Sequence, residues 1–133
     1  MIRDKLIPII QQRYSGEEVR ISPASNPIAV FPGKDNGVGE LQIWDDGDEA
    51  TIYIGEFTHG HFNLYNPELN QDEIDKQVAE DVLGFLEDMF ADKIVIWKSR
   101  EGGSGGWQYV DFTEGPIGRR DVEYYVWSGP YRG

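Results

Sequence analysis

Two stretches of this chain carry apolar residues at helical spacing, with the same intervals in both. Ile2, Leu6, Ile9, Ile10 and Tyr14 fall at i, i+4, i+7, i+8 and i+12, and Val78, Val82, Phe85, Leu86 and Phe90 repeat that series. Side chains three and four apart share one face of a helix, so each series predicts an amphipathic helix with a single buried stripe. Ile74 and Met89 widen the second stripe. After each helix the pattern changes to short runs of β-branched and aromatic residues, at 28–31, 41–43 and 50–54 behind the first and at 94–97, 107–109 and 122–126 behind the second. Such runs predict strands. The link at 15–27 is long and turn-rich, with a short extra strand expected at 19–21, whereas the second helix reaches its first strand within a few residues.

The likeness between the halves extends to residue identities. Residues 28–46 align with 94–112 without a gap, and five of the nineteen pairs are identical: Ile28/Ile94, Gly37/Gly103, Gly39/Gly105, Gln42/Gln108 and Asp45/Asp111. A repeat of this regularity predicts architecture before propensity does. The expectation is an α+β fold built from an internally duplicated αβββ unit, about residues 1–66 and 67–133. The units would form one largely antiparallel sheet with two helices, related by a pseudo-twofold. At 133 residues the chain lies in the single-domain range. Either half alone would leave a sheet face and edge uncovered, so the two are expected to share one domain.

Charge changes the picture. The net charge is −12, and residues 35–92 hold sixteen acids against one base, Lys76. The flanking segments are slightly basic. Asn70 with Glu73 three residues on reads as a capping box that opens the second helix. On that helix Glu73, Glu80 and Glu87 form a column opposite the apolar stripe, flanked by Asp81 and Asp88. Glu87, Asp88 and Asp92 lie at the helix end where the dipole favours cations. Gly84 sits in the same face, where glycine weakens a helix relative to alanine. Together with the turn Asp45, Asp46, Asp48 and Glu49, this column is expected to form one carboxylate-rich surface for a basic partner. The opposing reading is a solvated face that keeps the chain soluble. Nucleic acid is disfavoured as a direct ligand, because phosphate demands the opposite sign.

The remaining chemistry is sparse. There is no cysteine, hence neither a disulfide nor a thiolate site. No hydrophobic run reaches the length of a membrane span or a signal segment, so a cytoplasmic protein is the expectation. His59 and His61 would share one face of a strand, the geometry of a metal pair, with Glu56 or Glu68 as further ligands; two surface histidines in a loop is the simpler reading. The glycine loop at 100–106 joins two strands rather than a strand and a helix, which argues for a hairpin and against a phosphate cradle. Tyr125 and Trp127 share a strand face with Glu123 and are the candidates for an exposed aromatic patch. No nucleophile–base motif is present and nothing calls for a cofactor.

A non-enzymatic acidic binding or inhibitor protein is therefore the leading reading. In class, charge and lack of cysteine the chain is similar to immunity proteins that neutralise secreted nuclease toxins, which implies a basic, nuclease-type protein as the partner. Two alternatives stand beside it. One is a small-molecule or metal-dependent enzyme with its site between the repeats, drawing on His59, His61, Tyr109 and Glu56. The other is a scaffold that dimerises through its aromatic patch.

Overall fold

The computed structural model describes residues 1–101, 104–110 and 121–131. Helix α1 (Ile2–Arg13) is followed by strands β1 (Arg20–Ile21), β2 (Ala29–Phe31), β3 (Leu41–Asp45), β4 (Glu49–Ile54) and β5 (Thr58–Asn63). Helix α2 (Gln71–Phe90) then leads into β6 (Ile94–Ser99), β7 (Gly105–Tyr109), β8 (Val122–Val126) and β9 (Gly129–Pro130). The α+β class holds, with two helices and two antiparallel sheets.

The expected single sheet is divided. Strands β1 to β5 form a five-stranded sheet in chain order, and a four-stranded sheet has the order β7-β6-β8-β9. At the seam β5 runs beside β7. There the Trp107 indole lies over Gly60, and its Nε1–H donates to the His59 carbonyl at 3.2 Å. That carbonyl is thereby spent on a side chain instead of on a ladder continuing into β7.

The expected internal duplication is not confirmed: helix and hairpin recur in both halves, but the strand orders differ. β2 pairs antiparallel with β3, and β6 with β7 in the same way. The next strand then departs. β4 adds to β3, the second strand of its hairpin, whereas β8 adds to β6, the first strand of its own. The tight turn after β3 permits only a neighbouring return, while the long connection before β8 reaches the far edge of β6. The repeat partners Gly103, Asp111 and Phe112 and the loop glycine Gly102 lie outside the described residues.

The helices pack on each other and run parallel. Near their starts Lys5 pairs with Asp72 at 2.6 Å; near their ends the Tyr14 and Phe90 rings lie 5.4 Å apart. Their stripes meet the inner face of the five-stranded sheet. Leu6, Ile10, Ile43, Ile52, Val82, Leu86 and Met89 are all buried in one cluster. Pro8 lies inside α1 on an exposed face. It withholds one backbone donor, and the apolar stripe outweighs that loss.

Both ends of α2 are closed by local hydrogen bonds. Asn70 Oδ1 accepts the Glu73 N–H at 2.9 Å, and Glu73 Oε1 accepts the Asn70 N–H at 3.3 Å, completing the capping box. At the other end the Lys93 N–H donates to Asp88 O at 3.0 Å and the Asp92 N–H to Met89 O at 3.1 Å, a Schellman ending. Asp92 takes the left-handed position with φ 60, and its carboxylate accepts the Ser128 N–H at 3.1 Å. Gly84 faces open space midway along α2. Gly84→Ala is therefore expected to stabilise the protein by about 1 kcal/mol, measured by urea denaturation.

Candidate functional site

The acidic turn divides into scaffold and surface. Asp45 is 3% exposed. Its Oδ2 accepts from Arg3 Nε at 3.0 Å and from the Arg3 N–H at 3.2 Å, and Oδ1 accepts the Gly47 N–H at 2.9 Å. Asn26 brackets the Asp45 backbone, donating to its carbonyl at 2.9 Å and accepting its N–H at 2.8 Å. Burial pushes the Asp45 carboxyl up, but the Gly47 N–H and Arg3 outweigh it and hold the group below the ordinary aspartate value. Its expected place in a partner surface is thus corrected. Strand alternation turns Asp45 inward with Leu41 and Ile43, where Arg3 meets it. Asp46 and Asp48 are exposed and Glu49 is half-buried. Asp46 accepts from Thr51 Oγ1 at 2.6 Å and Glu49 from Asn63 at 3.2 Å.

Those two bonds tie the turn to the outer face of the five-stranded sheet. That face presents Gln42 and Trp44 from β3, Thr51 and Tyr53 from β4, and His59 and His61 from β5. Registers Gln42↔Tyr53↔His59 and Trp44↔Thr51↔His61 set them in two rows across the strands. The rings form a chain: Trp44 to Tyr53 5.8 Å, Tyr53 to His59 5.6 Å and His59 to His61 4.9 Å between centroids. Trp44 Nε1 donates to Gln42 Oε1 at 3.0 Å, Gln42 Nε2 to Glu40 at 2.8 Å, and Arg20 to the same Glu40 carboxylate at 3.0 Å. Neither Trp44 nor Tyr53 belongs to the core cluster, and Tyr53 is 38% exposed. Sequence reading missed this face, although the alternation in 41–45 and 50–54 places these residues on the side opposite Leu41, Ile43, Ile52 and Ile54.

The α2 column stands elsewhere. Phe85 packs on Phe62 at 5.3 Å against the inner side of the sheet, so the opposite face of α2 is turned away from it. Glu73, Glu80, Asp81 and Glu87 are exposed, and the last turn of α2 holds no basic residue. Asp81 accepts from Gln77 at 3.0 Å. Glu80 and Glu87 make no ion pair or hydrogen bond among the described residues. Asp88 differs: it accepts the Tyr109 hydroxyl at 2.8 Å and lies 4.0 Å from Lys93. Burial and that acceptor push the Tyr109 phenol up to about 12, so it remains a donor tying β7 to α2. The column and the turn therefore occupy two surfaces, each anchored to α1: the turn through Arg3–Asp45, the first turn of α2 through Lys5–Asp72.

The aromatic patch is corrected by burial. Trp127 is 3% exposed and stacks at 5.1 Å on Phe90, within the core cluster. Tyr125 is half-buried over Gly37, with Lys98 Nζ 5.0 Å from its ring and its hydroxyl donating to Glu123 at 3.0 Å. The loop between β2 and β3 covers them, so the surface expected for dimerisation is already occupied.

The histidines sit not in a loop but on a strand of their own, β5, where they share a face, both exposed. His61 Nδ1 lies 3.2 Å from Thr51 Oγ1 and 3.5 Å from Glu49. No group of three or more metal-ligating side chains of suitable geometry occurs among the described residues. Tyr109 bonds Asp88, so the residues of the expected enzymatic cleft do not converge on one point.

Several clefts open on the described surface; one of about 260 Å³ lies along α2 between Leu69, Glu73, Lys76, Gln77 and Glu80, and two more lie by the sheets. One, of about 240 Å³, has Phe31, Phe90 and Trp127 at its floor with Glu17, Glu18 and Lys34 at the rim. The other, of about 420 Å³, lies where the sheets meet, between Gly37, Gly39, Glu40, Gln42, Glu56 and Lys98. It adjoins the outer sheet face through Glu40 and Gln42.

No helix among the described residues is long and apolar enough to cross a membrane. No family model, curated protein or solved structure matches the chain.

Proposed function

We propose that the chain is a non-enzymatic binding protein that presents carboxylates to a basic protein partner, of the kind exemplified by a nuclease-type toxin. The supporting observation is the outer column of α2. Glu80 and Glu87 stand exposed and make no ion pair among the described residues, although Lys76 lies one turn from Glu80, and Glu87 lies where the helix dipole disfavours an acid. Glu87 adds nothing to the stability of its own helix, and the column produces a negative field that steers cationic partners. The acids around the first turn of α2 are different in kind, because Asp72 is paired with Lys5 and Glu73 completes the cap.

The test begins with capture from the source cell at low and high salt, followed by kinetics on the identified partner. Glu80→Lys/Glu87→Lys is expected to slow association about tenfold at low ionic strength and far less at high salt, with dissociation little changed. An association rate indifferent both to these substitutions and to salt would falsify the proposal.

A further inference from the structure

We propose that the outer face of the five-stranded sheet is the docking surface for arginine side chains of that basic partner, an assignment that rests on the function proposed above. Distance separates the two roles. Charges on α2 act through space on an approaching molecule, whereas docking needs rigid apolar area at contact range. The outer sheet face supplies that area. Trp44, Tyr53, His59 and His61 follow one another at centroid spacings of 5.8, 5.6 and 4.9 Å on three paired strands, so the row is held by ladder hydrogen bonds rather than by a loop. Trp44 is further fixed by its bond to Gln42, which Glu40 in turn orients.

Charge selects the occupant. Carboxylates border the rings on two sides: Glu40 at one, Asp46, Asp48 and Glu49 at the other, with Asp46 and Glu49 bonded to Thr51 and Asn63 of the same sheet. Of the cations near Glu40, Arg20 is already bonded to that carboxylate, and Lys98, across the adjoining cleft, donates to the Gly37 carbonyl. A planar guanidinium stacks on an indole or phenol face while its edge donates to a carboxylate, and both halves of that recognition are present here. Lysine, a compact and strongly hydrated charge, gains less from the rings. A second copy of this chain would bring the same negative border against itself, and nucleic acid would be repelled.

The test uses nonaarginine and nonalysine peptides with the full chain at moderate salt, read by calorimetry and by the indole and imidazole resonances. Nonaarginine is expected to bind roughly three- to tenfold more tightly than nonalysine and to shift the signals of Trp44, His59 and His61. The preference for arginine should vanish in Trp44→Ser/Tyr53→Thr and persist in Glu80→Lys/Glu87→Lys. Tyr53→Thr alone, at an exposed strand position, keeps the test intact if the double variant melts early. Equal binding of the two peptides by the unaltered chain, or binding that leaves the signals of Trp44, His59 and His61 unmoved, would overturn the docking assignment while leaving the basic partner in place. Binding of neither peptide would overturn both.

Discussion

Asp45→Ala is expected to destabilise the protein by about 3 kcal/mol, because it leaves the Arg3 guanidinium with the Pro23 carbonyl but no carboxylate, where solvent reaches it poorly. The Asp45 side chain is fully buried and that of Arg3 is 17% exposed. The substitution also strips the Gly47 N–H and the Arg3 N–H of their acceptor. Two connections end together, the start of α1 and the turn from β3 to β4, while the bonds from Asn26 to the Asp45 backbone remain. Urea denaturation followed by circular dichroism measures the loss. Asp45→Asn separates charge from shape, since its single amide oxygen can accept from Gly47 only by turning the NH2 group, a donor, toward Arg3. The same residue gives the protein an acid limb. Its carboxyl titrates below the ordinary aspartate value in the folded state. Its contribution is therefore complete above the unfolded value of about 4 and is lost as the pH falls below it. Stability of the native chain should decline through that range, and the Asn variant should decline less steeply.

Gly55→Ala is the second substitution with a large expected effect. Gly55 has φ +58, and a Cβ there would stand 2.3 Å from the Val38 carbonyl oxygen and 2.8 Å from the Phe57 ring. Its N–H donates to Glu40 O at 2.8 Å, so the turn between β4 and β5 lies backbone to backbone on the loop after β2. An added methyl meets both a disfavoured conformation and the Val38 carbonyl, which the neighbouring Gly55–Glu40 backbone bond keeps close. A loss of about 3 kcal/mol is expected, read as a lowered melting temperature. Gly47→Ala provides the control. There φ is +100 but nothing lies within 4 Å, so only the conformational strain of about 1–2 kcal/mol should appear.

The helices and most strands were legible because one simple physical signal governs each. The stripe Val78–Val82–Phe85–Leu86 and the cap Asn70–Glu73 point to the same helix, and both are present. The division into two sheets was not legible. It depends on which edge β8 reaches after its connection and on one indole taking the His59 carbonyl, and neither fact has a local signature. Asp45 was misplaced because its charge was weighed above its parity: an acid two residues beyond Ile43 on a strand faces the same way as Ile43. Trp127 was misplaced for a related reason. Strand parity named its side of the sheet correctly with Tyr125, but the covering loop from 32 to 39 comes from far along the chain. The outer row Trp44–Tyr53–His59–His61 was readable in principle, since alternation alone assembles it.

The parallel course of α1 and α2 has an electrostatic consequence. Two backbone dipoles pointing the same way place their positive ends together near Lys5 and Asp72, and their negative ends together near Tyr14 and Phe90. Carboxylates at the first end, including Asp4, Asp72 and Glu73, are therefore partly cancelled by the peptide groups beneath them. At the second end Glu87 adds to a backbone field of its own sign. The acids at the first end are thus muted and Glu87 at the second is reinforced, with Arg13 in the last turn of α1 and Lys93 just past α2 as the opposing charges.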